Sequence, residues 1–166
     1  MAEIWEMFLR SKLRKAFPDW EVSSPEIGTY DGTFFKRKII PDIVMKKGND
    51  VMVFDAKWKR MIFSQYDVDR TDFFQIHTYI QYYKQAGYNV VASGLLYPIS
   101  VEEDGLMNNR YSTLFGNSSD STVFIVDGIC FGEESSEKKD GFKEKFYKST
   151  EEFIKRMELV VSGRLY

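Results

Sequence analysis

The sequence predicts a single α/β domain in which a mixed central sheet is flanked by helices. Three observations carry that expectation: an amphipathic stretch at each end of the chain, two β-rich runs joined by a polar turn, and a near-continuous apolar run behind a second helical stretch. The whole chain, residues 1–166, is short enough for one domain.

Each element follows from a local pattern. Residues 3–17 set Ile4, Met7 and Phe8 with Leu13 and Phe17 at helical spacing until Pro18 stops the pattern, which predicts an opening helix. A short strand is expected at Trp20–Ser24. Phe34–Met45 and Val51–Trp58 are rich in β-formers, and the polar stretch 46–50 between them contains Gly48, so the two runs read as a hairpin. Residues 60–70 are polar and irregular. Asp69 or Thr71 can then cap a helix carrying Phe73, Phe74, Ile76, Tyr79, Ile80 and Tyr83, with Gly87 at its end. Asn89–Tyr97, closed by Pro98, suits a buried central strand. Residues 99–121 are loop-like, Thr122–Val126 is another short strand, and 132–141 is charged and flexible. A closing helix over 142–161 places Phe146, Phe153, Ile154, Met157 and Val160 or Val161 on one side.

Composition narrows the function classes. Hydrophobic residues make up 43% and charged residues 29% of the chain, proportions of a globular rather than a disordered protein. One cysteine, Cys130, excludes an internal disulfide framework and cannot alone hold zinc or an iron–sulfur cluster. The one histidine, His77, excludes a two-His zinc site and reads as structural. No run of about 18 apolar residues and no signal-peptide layout is present, so a cytoplasmic protein with no membrane partner is expected. The formal net charge is −2, but residues 36–60 hold eight basic residues against three acidic ones, a local +5 that leaves −7 on the remainder. Such asymmetry suits a phosphate-contacting face as well as it suits a solvated strand surface.

The chemistry lies in the hairpin. Asp42 follows Pro41 in its first run, and Asp55-Ala56-Lys57 ends its second. Strand side chains alternate faces, so Asp55 and Lys57 project to one side and the hairpin brings Asp42 alongside. Two carboxylates and an ammonium then converge at one end of the hairpin. Carboxylates hold Mg2+ while leaving room for water and substrate, the metal stabilises charge developing on phosphorus oxygens, and a lysine orients water or offsets that charge. The bland alternative makes Asp42 and Asp55 surface residues salt-bridged to Lys57. Asp is disfavoured in strands, however, and here two of them interrupt apolar runs. The Ala56 carbonyl is a further candidate metal ligand. Glu6, among apolar neighbours, either completes the metal site or is a helix-surface residue. Gln75 and Tyr79 share a helix face with Asp72 one turn earlier; they either reach the site and a DNA phosphate, or Tyr79 is core and Gln75 caps its edge.

The strings IIPDIVM, VMVFDAKWK and DFFQIHTYIQYY resemble the PD-(D/E)xK nuclease superfamily, most closely the McrC nuclease-domain family, the cleavage subunits of modification-dependent McrBC restriction systems. IWEMFLRSKLRKAFPDW is similar to the Glu-bearing first helix of that domain and GLLYP to its central strand, so the resemblance covers most of residues 3–98. It implies a restriction-endonuclease-like α-β-β-β-α-β core with a C-terminal helix. It also implies catalytic Asp42, Asp55, Lys57 and Gln75, with Mg2+ (Mn2+ substituting) on Asp42, Asp55, Ala56 and Glu6. DNA contacts are expected from Lys36, Arg37, Lys38, Lys59, Arg60 and Tyr79. The helical acid Glu6 and the Q-x-x-x-Y element of Gln75 and Tyr79 make the ordered set far more specific than the short Asp-Asp-Lys core.

A DNA endonuclease module of an McrBC-like defence system is therefore the leading expectation, with DNA and an McrB-like GTPase motor as partners. McrC-type subunits carry a separate amino-terminal region that engages the motor, whereas this sequence starts almost at the nuclease helix; an excised domain and a stand-alone nuclease both fit. The alternatives are a stand-alone RecB-like exonuclease or repair nuclease, and a catalytically silent nucleic-acid-binding module on the same fold. The lone Cys130 excludes the cysteine-cluster branch of RecB-like nucleases.

Overall fold

A computed structural model describes residues 1–32, 36–59, 69–101, 104, 110–113, 120–131 and 139–164. Its elements are α1 (Ala2–Ala16), β1 (Glu21–Ser23), β2 (Ile27–Asp31), β3 (Lys36–Ile39), β4 (Ile43–Lys47), β5 (Asp50–Ala56), α2 (Arg70–Gln85), β6 (Asn89–Ile99), β7 (Tyr111–Thr113), β8 (Val123–Cys130) and α3 (Lys139–Ser162). Six strands form a mixed sheet in the order β1-β4-β5-β6-β8-β7, and β2 pairs with β3 in a separate two-stranded sheet. The ladders β5–β6 and β6–β8 are parallel; the others are antiparallel. This is the expected restriction-endonuclease-like α/β architecture with its C-terminal helix. The expected irregular segment 60–70 and the charged segment 132–141 lie mostly outside the described residues, as do Arg60, the start of the first expected hairpin run, and much of 99–121.

Strand alternation divides the core in two. Met52, Phe54 and Ala56 of β5 face one side, where Trp5, Leu9 and Leu13 of α1 and Phe153, Met157 and Val160 of α3 cover the sheet. Val51 and Val53 face the other, beneath Ile76, Tyr79, Ile80 and Tyr83 of α2. By the same alternation Asp55 and Lys57 emerge on the α2 side, at the C-terminal ends of the parallel strands, where open α/β sheets bind ligands. The Trp5 indole N–H donates to the Leu96 carbonyl at 3.3 Å and ties α1 across the same end.

Four expectations need correction. The single strand proposed over 34–45 is two strands in two sheets: Pro41, which has no N–H for a ladder, and a bend at Asp42 separate β3 from β4. The face of α1 is also different, for Ile4 and Met7 are exposed while Trp5, Leu9 and Leu13, one helical turn apart, are buried. The helix carries enough apolar residues for two stripes, and the one bearing the large indole faces the core. Finally, β8 continues four residues past the expected end, and β7 lies inside the stretch expected to be loop.

Gly94, at the centre of β6, is required by close approach. A Cβ there would lie 1.9 Å from the Ile125 carbonyl oxygen on neighbouring β8, a backbone atom that cannot move aside without breaking the ladder. Gly94→Ala is therefore expected to cost at least about 3 kcal/mol, at the upper end for overpacking. Denaturant unfolding measures it, and wild-type stability in that variant would contradict the β6–β8 register.

Candidate active site

Asp42 stands just before β4, and the pairing of Ile43 with Phe54 puts it across from Asp55. Its Oδ2 accepts the Ala56 N–H at 2.8 Å. Its carboxyl group is also hydrogen-bonded to that of Asp55. Two acids in contact cannot both ionise cheaply: burial first, then the hydrogen bond and charge of Asp55, push Asp42 up to about 8, with a smaller contribution from Glu6. Asp55 itself is almost wholly buried, at 1% exposure. The expected convergence of Asp42 and Asp55 on one face is what the structure has.

Lys57 completes the cluster from the same strand edge. Its backbone N–H donates to the Leu96 carbonyl at 2.9 Å, which extends the β5–β6 ladder and aims the side chain at the α2 face. The ammonium is ion-paired with Asp55 Oδ2, lies 3.2 Å from Asp72 Oδ1 and donates to Gln75 Oε1 at 3.0 Å. Burial opposes its charge, but the hydrogen bond and charge of Asp55, joined by Asp72, outweigh burial and hold Lys57 above its ordinary value.

The α2 residues are ordered from the helix start. Asp69 caps it, accepting from the backbone N–H groups of Thr71 and Asp72. Asp72, Gln75 and Tyr79 then share one face over the end of β5. Gln75 Nε2 donates to the Tyr79 hydroxyl at 2.8 Å, and that hydroxyl donates to the Ile40 carbonyl at 3.4 Å. Tyr79 is thus a buried strut beneath Gln75, at 3% exposure, rather than a surface for DNA. His77 points off this face: its Nδ1 lies 2.6 Å from the Phe73 carbonyl oxygen, and its ring packs on Phe73. With Phe74, Thr78 and Gln81 it lines a groove of about 730 Å³ between α2 and the β2–β3 sheet.

Glu6 sits at the rim, partly exposed and 3.8 Å from Arg10 across one helical turn. Arg10 in turn donates to the Asp42 backbone carbonyl at 2.7 Å. That link between α1 and the Asp42 bend was not foreseen, and the Glu6/Arg10 spacing of four was its only signal in the sequence. Among the described residues no group of three or more His, Cys, Asp or Glu side chains is disposed to hold a metal.

Among the described residues the basic side chains of this segment do not form one face. Lys46 lies over the rings of Tyr83 and Tyr88, and Lys47 is 3.8 Å from Asp19; both are beside the hairpin turn, at the far end of β5 from Asp55. Lys38 on β3 is ion-paired with Glu26, and Lys59 with Asp72 and, at 3.9 Å, with Asp69. Arg37 is exposed on the same strand as Lys36 and Lys38. Among the described residues no helix is long and apolar enough to cross a membrane.

Comparison with known proteins gives three results. No curated protein matches. A solved structure, the refined half-complex from a tetradecameric assembly of Thermococcus gammatolerans McrB AAA+ hexamers with bound McrC, is similar at a TM-score of 0.48 and 17% identity. The match covers 92% of this chain but only 33% of that one. The model of the McrBC 5-methylcytosine restriction system component matches residues 1–98, from the Glu6-bearing helix through Asp42, β5 and α2 into β6, and the chain therefore belongs to that family.

Proposed function

We propose that this domain is a Mg2+-dependent DNA endonuclease module of PD-(D/E)xK type, acting as the cleavage part of an McrBC-type restriction system. The observation that supports it best is the contact between the Asp42 and Asp55 carboxyl groups with the Lys57 ammonium held on Asp55. Burial and the neighbouring Asp55 favour the protonated form of Asp42, and two carboxyl groups so placed are a donor set that a hard divalent cation relieves. Asp42, Asp55 and the Ala56 carbonyl would hold Mg2+ or Mn2+, with Glu6 as a further carboxylate at the rim. Bound there, the ion supplies a Lewis acid for phosphoryl oxygens and a water of lowered pKa. Lys57 donates to the scissile phosphate or its attacking water, and Gln75, braced by Tyr79, fixes the lysine. DNA contacts come from the β3 basic residues Lys36, Arg37 and Lys38 and from Lys59 and Arg60 beyond β5. An McrB-like GTPase motor is the partner this reading implies, in keeping with membership of the McrBC family.

Nicking of closed-circular plasmid with Mg2+ or Mn2+, alone and with the motor subunit, tests this reading. Inactivity with every metal and with the motor would favour the silent binding module instead.

Proton linkage gives a second test. The metal-free domain keeps the Asp42 proton to about pH 8, so loading the metal near neutrality expels it. Mg2+ affinity is expected to rise with pH and level off above about 8, with proton release measurable by calorimetry in buffers of different ionisation enthalpy. The sign for folding is opposite. Between 3.8 and about 8 the folded chain binds a proton that the unfolded chain has lost, so metal-free stability falls as pH rises through that window.

A further inference from the structure

We propose that Asp72 is the positioning residue for Lys57, holding the ammonium at the reaction centre and off the metal ligand; this rests on the metal-nuclease reading above. Asp72 lies in the first turn of α2 at 6% exposure, and Asp69 does the capping there, so the Asp72 carboxylate is not needed to start the helix. A carboxylate so buried needs partners, and its oxygens divide between two lysines: Oδ1 to Lys57 and Oδ2 to Lys59.

An ammonium has three N–H donors. Around Lys57 stand three acceptors, Asp55 Oδ2, Asp72 Oδ1 and Gln75 Oε1. Two of them belong to α2 and one to the acid pair. Once a divalent cation draws on Asp55, that third contact weakens, and Asp72 with Gln75 must keep the ammonium in place. Without the charge of Asp72, Asp55 is the one carboxylate left beside Lys57, and the ammonium competes with the cation for it. Asp72 therefore separates the two cations that Asp55 attracts.

The test reads metal affinity and the lysine itself rather than cleavage. Asp72→Asn keeps the side-chain shape and is expected to weaken Mg2+ binding roughly fivefold by calorimetry, the scale of one partly buried ion pair. Adding Lys57→Ala should restore it. Asp69→Asn removes the same charge from the same helix end without touching Lys57, and should leave the affinity unchanged. In wild-type protein the Lys57 side-chain Nζ–H signal in 15N spectra should be protected from exchange and persist when Mg2+ saturates the site; Asp72→Asn should lose it. Unchanged Mg2+ affinity in Asp72→Asn overturns the proposal, as does weakening that Lys57→Ala fails to restore, or a wild-type Lys57 signal that vanishes on Mg2+ loading. Failure of the unmutated domain to bind Mg2+ or Mn2+ is a different result: it defeats the metal-site reading, while the Lys57 signal in metal-free Asp72→Asn still decides the role of Asp72.

Discussion

Asp55→Asn is expected to reduce plasmid nicking at least about a hundredfold, the loss of ~3 kcal/mol or more of transition-state stabilisation. Asp55 is the buried member of the acid pair and the one that also holds Lys57, so a single substitution touches both cations of the site. The amide keeps the carboxylate's shape. Its oxygen can still accept from Lys57 and its nitrogen can donate to Asp42, so the hairpin and the sheet around Phe54 and Ala56 keep their packing. Mg2+ binding, in contrast, loses a hard anionic ligand that an amide oxygen does not replace. Circular dichroism and DNA binding near wild type, with nicking and metal affinity both lost, is the expected pattern. Full nicking by Asp55→Asn would remove Asp55 from the site.

Much of this site is legible in the sequence because strand periodicity is strict. With Asp55 and Lys57 two apart and apolar residues alternating before them, both had to emerge on one face, and they do, on the side covered by α2. The helix cap and the Gln75/Tyr79 pair were readable for the same reason, since a spacing of four fixes a shared face. What the sequence hid depends on partners far along the chain. Nothing local says that Lys36–Ile39 pairs with β2 while Ile43–Lys47 joins the main sheet, because both runs carry the same β-forming character. The basic run is divided between two ends of the domain for a related reason. Charge summed over residues 36–60 ignores that the two ends of a hairpin strand point to opposite ends of the molecule, where Lys46 finds tyrosine rings and Lys59 finds Asp72. Spacing placed Asp72 on the face of Gln75 and Tyr79, but its pairing with Lys57 and Lys59 depends on strand-end residues that helix periodicity does not locate.

Lys57→Ala is expected to separate metal binding from turnover. Nicking should fall roughly a hundred- to a thousandfold, as when a preorganised donor to developing phosphoryl charge is removed. Mg2+ affinity should be equal to wild type or higher, because the ammonium that occupies Asp55 Oδ2 in the metal-free domain no longer has to give way. Stability should show the same competition. Removing Lys57 leaves Asp55 buried without its counter-ion beside an Asp42 that stays protonated to about pH 8, a change that costs ~3 kcal/mol when one partner of a buried pair is lost. Saturating Mg2+ supplies the missing positive charge. The rise in melting temperature on adding Mg2+ should therefore be larger in Lys57→Ala than in wild type, even though the variant does not turn over. A Mg2+ affinity that falls in step with activity would mean that Lys57 acts by shaping the metal site and not by meeting the phosphate.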